Sequence, residues 1–184
     1  MTGITRKLVA EALGTSLLLV AVVGSGIMAE RLCGGNTGLA LLANAVATGA
    51  ALVVLITVFG PLSGAHFNPC VTLFFALRGE TGWARALLYV VVQFAAAILG
   101  VWLAHAMFGM PVIEVSRKLR DGWPQWLAES VATFGLLMTI AGSIRFAPLS
   151  TPVLVGLYIF ISSALTGSRP PPLLPIQLSR LRAQ

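Results

Sequence analysis

Ser63-Gly64-Ala65-His66-Phe67-Asn68-Pro69-Cys70-Val71-Thr72 is the stretch that decides the fold. This polar, glycine-bearing decapeptide sits between long hydrophobic segments and leads into a short apolar run, 73–77. Irregular backbone at membrane depth must be buried in protein or line a watery cavity, because lipid supplies no hydrogen-bond partner. A helix starting in mid-membrane at Asn68-Pro69 points its free N–H groups, and the positive end of its dipole, at that cavity. Proline suits such a start, since it lacks only a donor that the first turn leaves unpaired. The segment reads as half of a pore.

The rest of the chain supplies the membrane. Hydrophobic residues make up 57% and charged residues only 10%, against roughly 25% charged in soluble domains, and the mean hydropathy is +0.91. The 19 glycines suit helices that pack backbone to backbone in lipid. Net charge is +6, yet no basic patch is interleaved with aromatics, so nucleic acid is not an expected partner. Cys33 and Cys70 lie in unlike contexts and suggest neither a disulfide framework nor a metal site. No nucleophile–base–carboxylate set is visible and the two histidines are far apart, so an enzyme is not expected, nor any cofactor.

Runs of about 20 apolar residues place spans at 8–28, 38–59, 84–108 and 126–144, with a fifth from near 152 to near 165. The segment 68–77 is too short to cross. Arg6 and Lys7 before an apolar run also fit a signal peptide, but Glu11 at the start of the run argues against it. Ala10-Glu11-Ala12-Leu13-Gly14-Thr15 opens span one and Ala128-Glu129-Ser130-Val131-Ala132-Thr133 opens span four. An odd number of spans separates the copies, so the halves have opposite topology, and inverted repeats place a solute site at their interface.

This combination of helix glutamates, half-helix segment and inverted repeat resembles the major intrinsic proteins, the aquaporin and glyceroporin family, over roughly residues 5–162. The resemblance implies an all-α membrane protein in which an Asn-Pro-Ala half-helix from each repeat meets the other at the membrane centre. Here the first copy reads Asn68-Pro69-Cys70, cysteine standing where the family has alanine. By position, Asn68 is the solute donor, with Pro69 and Cys70 beside it in the pore. The carbonyls of Gly64, Ala65 and His66 form an acceptor ladder, and Thr48 matches the span-two position of the outer filter. Glu11 and Glu129 match buried glutamates that hold the re-entrant loops. The resemblance further implies a small neutral solute, water, glycerol or arsenous acid, as cargo, and a homotetramer in a bacterial inner membrane.

On the residues alone each has a plainer reading: Glu11 in the headgroup region, Thr48 as a helix-packing hydroxyl, His66 capping a loop carbonyl, Cys70 as a small packing residue. Orientation is weakly marked. A cytoplasmic N-terminus sets Arg6, Lys7, Arg78, Arg85 and Arg145 inside against Arg31, Arg117, Lys118 and Arg120 outside.

The second half-helix and sixth span are not visible. The expected organisation is an incomplete membrane domain, 1–162, and a non-native tail, 163–184. Reading the third base of each codon with the first two of the next, from Ser163/Ala164 onward, permits Gly-Ala-Tyr-Trp-Phe-Thr-Ser-Ser-Thr-Ser-Phe-Ala-Asn-Pro-Ala-Val-Thr. That text looks like the family's second pore motif, and it points to a frameshift near residues 158–163. In the shifted frame a valine stands three residues after the second asparagine, where water-selective members carry arginine, and a glycine stands at the span-five filter position. With Thr48, this resembles bacterial aquaporins of arsenic-resistance clusters. The competing expectation is a non-conducting membrane fragment.

Overall fold

The structure is a computed structural model that describes residues 3–113 and 122–166, with side chains of the last helix described as far as Ser163. The polar loop 114–121 and the tail 167–184, with most of the shifted-frame text, lie outside the described residues. What is described is helical: α1 Gly3–Leu32, α2 Thr37–Ser63, α3 Pro69–Leu77, α4 Trp83–Met107, α5 Trp123–Phe146, a 3-10 turn Pro148–Ser150 and α6 Thr151–Thr166.

The helices α1, α2, α4 and α5 are long and apolar enough to cross a membrane. The expected fifth span is α6, whose 16 residues extend about 24 Å at 1.5 Å per residue. Local chemistry sets the boundaries. Gly34 and Gly35 take positive φ (55° and 85°) to turn the chain after α1, and Asn36 caps α2 by accepting the Leu39 N–H. Gly64, at φ 96°, closes α2 in the left-handed conformation, where glycine has no Cβ to clash.

The long helices form an open row in which α4 lies beside α1, α1 beside α2, α2 beside α6 and α6 beside α5. Small residues allow this closeness. A Cβ on Gly49 would lie 2.7 Å from the Gly156 carbonyl oxygen, so α2 and α6 touch backbone to backbone there. At the α1–α4 crossing a Cβ on Gly100 would meet the Ser16 carbonyl at 2.5 Å, and the Ser16 hydroxyl donates to the Ala96 carbonyl. Leu17, Val54, Val91, Phe94, Phe134 and Met138 are exposed on the outside, as expected of a surface whose solvent is lipid.

The short helix α3 is nine residues long, about 14 Å, and lies between α4 and α5, the two ends of the row. Asn68 caps it in extended conformation with Pro69 at the first position. It is a re-entrant half-helix, and α2, the loop 64–68 and α3 together form the hairpin that carries the site.

A buried carboxylate, a half-helix and a cavity

Glu11 is fully buried on α1. Its Oε1 accepts the Ser63 hydroxyl at 2.6 Å and the His66 N–H at 3.0 Å. Its Oε2 accepts the Phe67 N–H at 2.9 Å and the Gln93 amide at 2.9 Å. Four donors converge on one carboxylate, which can accept about four hydrogen bonds. The loop needs this anchor. Ala65 and Phe67 both take positive φ, 49° and 47°, a conformation costing an L-residue roughly 1–2 kcal/mol. Bonding the N–H groups of His66 and Phe67 to Glu11 holds the chain in it.

Further contacts lock the loop's outer side. The Tyr89 hydroxyl donates to the Ser63 carbonyl at 2.9 Å, and Gln93 donates to the Thr72 hydroxyl at 3.0 Å as well as to Glu11. His66 Nδ1 lies 3.1 Å from Thr72 Oγ1, and its ring stacks on Phe75 at 4.7 Å. Phe67 packs against the Cα of Gly14, where a Cβ would lie 2.0 Å from the ring. Gln93 and Tyr89 are missed by motif reading, and Thr72, the last residue of the motif, is given no role by it. The available signal was Gln93, an uncharged amide in the middle of an otherwise apolar span.

The loop's other side faces a cavity of about 130 Å³, room for several waters. One wall is the polar stretch Gly64, Ala65, His66, Phe67 and Asn68. Among the described residues, nothing donates to the carbonyls of Gly64, Ala65 and His66. The Cys70 N–H donates to Asn68 Oδ1 at 2.7 Å, which assigns the amide orientation and leaves Asn68 Nδ2 as a donor beside the cavity. The rest of the lining includes side chains at helical spacing, all apolar but Thr151: Leu52 and Ile56 on α2, Leu136, Ile140 and Ile144 on α5, Thr151, Val155 and Ile159 on α6.

Several expected site residues fall elsewhere. Pro69 and Cys70 do not line the cavity, and Cys70 is exposed. Successive residues step about 100° around a helix, so after Asn68 the half-helix returns to the cavity only at Val71 and Phe75. Thr48 continues the Leu52–Ile56 stripe by one turn, but its hydroxyl donates to Asn44 Oδ1 at 3.3 Å and the cavity ends at Leu52. Glu129, expected to be buried like Glu11, is exposed. It accepts from Gln125, one turn earlier on its own helix, at 3.0 Å. Burying a carboxylate requires donors to replace water, and among the described residues no second loop brings N–H groups to it. No group of three or more metal-ligating side chains occurs among the described residues.

The model of the major intrinsic proteins matches residues 1–169. The chain belongs to the major intrinsic protein family. The aquaglyceroporin AqpS of Rhizobium meliloti is 55% identical over 165 residues, covering 90% of this chain and 70% of that protein. The glycerol uptake facilitator protein of Streptococcus pneumoniae is 32% identical over 149 residues, 73% of this chain and 63% of its own length. Among solved structures, the aquaglyceroporin from Plasmodium falciparum superposes with a TM-score of 0.71 at 22% identity, covering 88% of this chain and 72% of that one. That likeness concerns the fold. The major intrinsic protein hairpin is therefore the frame in which Glu11, the loop and Asn68 are read.

Proposed function

We propose that this chain is built as a passive channel for small neutral solutes such as water, glycerol or arsenous acid, and not as an enzyme. The observation that carries the reading is the two-sided cavity. Residues 64–68 line it, with carbonyls of Gly64, Ala65 and His66 that no described group pairs and with the Asn68 amide, and the side chains of α2, α5 and α6 that complete the lining are apolar except Thr151. A neutral hydroxylated solute exchanges hydrogen bonds with water for hydrogen bonds along the polar wall while its carbon or bare face slides on the apolar one. An ion gains too few ligands there to replace its hydration. The names of AqpS and of the glycerol uptake facilitator support the same solute class.

In this reading Gly64, Ala65 and His66 present acceptors, Asn68 is the donor at the half-helix start, Glu11 is the anchor and Thr48 lies one turn beyond the cavity toward the outer filter. The protein resides in a bacterial inner membrane with its N-terminus in the cytoplasm, and a homotetramer follows from family likeness. The tail 163–184 is read as a frameshifted segment, the native frame continuing into a second Asn-Pro-Ala half-helix that buries Glu129. Exposed Glu129 supports that second reading, in which the 184-residue form is impaired.

Stopped-flow flux in proteoliposomes tests the pore. Asn68→Asp places a charge at the constriction and is expected to lower glycerol flux at least tenfold in the conducting form. Unchanged flux would show that Asn68 does not stand in the path.

A further inference from the structure

We propose that the recess between α3 and α5, which Arg78 and Arg145 both line, binds the headgroup of an anionic phospholipid. The two arginines take its phosphodiester, and the apolar side chains beside them take the chain-bearing end. The inference does not depend on the channel reading.

The recess has a volume of about 290 Å³. Arg78 is the residue that ends α3, and Arg145 stands in the last turn of α5, so two helix ends far apart in sequence supply its cations. One arginine near a helix C-terminus is an ordinary partner for the helix dipole. Two on one recess repel each other unless an anion or water lies between them. Arg31, at the end of α1, shows how the protein itself can occupy such a group: its Nη2 donates to the Phe108 carbonyl at 3.0 Å.

The donors of Arg78 and Arg145 are largely unspent. Arg78 donates through Nε to Glu80 Oε1 at 2.6 Å, with both side chains about half exposed. The Nη1–Nη2 edge of the same guanidinium makes no hydrogen bond to a described residue. Such an edge can grip a phosphate through two parallel N–H bonds. Arg145 makes no hydrogen bond or ion pair with a described residue, and its guanidinium lies over the Phe146 ring, 5.2 Å from the centroid. Both side chains are accessible and both keep donors for a ligand.

Formal charge selects the ligand. Two arginines and Glu80 leave the recess one positive charge, which a single phosphodiester cancels. A phosphate monoester, with nearly two negative charges at neutral pH, overshoots that balance beside the Glu80 carboxylate. A zwitterionic lipid brings a cation of its own to the same place. The rest of the lining is apolar, Phe74, Ala141 and Ile144 among it, and the chain neighbours Leu77 and Phe146 are exposed as well. An amphiphile covers both halves of such a recess, whereas a soluble anion leaves the apolar half bare. Basic pockets between membrane helices hold anionic headgroups in this way.

The test uses the purified 184-residue chain in detergent, with native mass spectrometry following bound lipid as phosphatidylglycerol or phosphatidylcholine is titrated in. Phosphatidylglycerol is expected to bind about tenfold more tightly, and Arg145→Gln to lower its affinity about tenfold, the factor for one hydrogen bond to a charged group. Arg78→Gln is expected to act alike; if that variant, which also leaves Glu80 unpaired, does not fold, Arg145→Gln decides alone. Arg6→Gln removes the same charge from an exposed position outside the recess and is expected to leave affinity within about twofold. Equal binding of the two lipids by the unaltered chain, or an equal fall in the Arg6 variant, overturns the site. Displacement of the lipid by glycerol 3-phosphate at equal concentration overturns it too, since the recess would then belong to a soluble anion.

Discussion

Glu11 Oε2 accepts the N–H of Phe67 at 2.9 Å, across 56 positions of sequence. The same carboxylate takes the His66 N–H, so one side chain on α1 fixes two consecutive amides of a loop that has no regular structure of its own. Glu11→Gln replaces an acceptor oxygen with an NH₂ group facing donors. At about 1.5–3 kcal/mol per lost bond to a charged acceptor, the cost for two such bonds is roughly 3–6 kcal/mol. Thermal unfolding in detergent is expected to show a clear fall in midpoint for this variant. Glu129→Gln in the 184-residue form is expected to change stability by less than about 0.5 kcal/mol, as at other exposed positions. Equal losses at both sites would mean that Glu129 is buried in the membrane.

Gly14 leaves room for the Phe67 ring, and a Cβ there would lie 2.0 Å from it. Gly14→Ala forces the ring, and the strained loop behind it, to shift, costing about 1–3 kcal/mol as overpacking does. The double variant Gly14→Ala with Phe67→Leu is expected to recover most of that loss. A double-mutant cycle reads the coupling directly, and additive losses would contradict direct contact.

Gln93 donates to both Glu11 and Thr72. Gln93→Leu keeps the size but leaves Thr72 and one carboxylate lone pair short of a donor, with an expected cost of about 1–3 kcal/mol. Hydrogen exchange at the amides of His66 and Phe67 should accelerate in this variant while exchange in α5 stays as it was. Uniform acceleration would assign Gln93 a global packing role.

Much of this arrangement is legible in the sequence, and what is not has identifiable causes. The start of α3 is local chemistry: Asn68 is a capping residue, Pro69 a first-turn residue, and both act within three positions of each other. The long spans follow from apolar length alone. The partners of Glu11 on α4 are not legible, because Tyr89 and Gln93 reach the loop through tertiary packing that no motif spacing records. Pro69 and Cys70 adjoin Asn68 in sequence, but helical phase sets Val71 and Phe75 against the cavity. Glu129 shares its sequence neighbourhood with Glu11, but likeness of sequence does not supply the amides that bury a carboxylate.

The frameshift proposal is tested at the nucleotide level. Resequencing the locus across the codons of Ser163 to Arg182 is expected either to restore an Asn-Pro-Ala frame or to reveal a single insertion or deletion that destroyed it. Codons in that overlap that cannot spell Thr-Ser-Phe-Ala-Asn-Pro-Ala one frame away would rule it out.

The central claim is that the polar wall ending at Asn68 conducts neutral solutes only as half of a two-sided site. Facing half-helices contribute two dipoles and two asparagine donors; one half-helix alone supplies half of each. Glycerol flux in proteoliposomes, measured side by side for the 184-residue chain and its frame-restored form, tests this most directly. The account predicts flux at the level of empty liposomes for the first and at least tenfold above it for the second. Equal flux from both forms would contradict it.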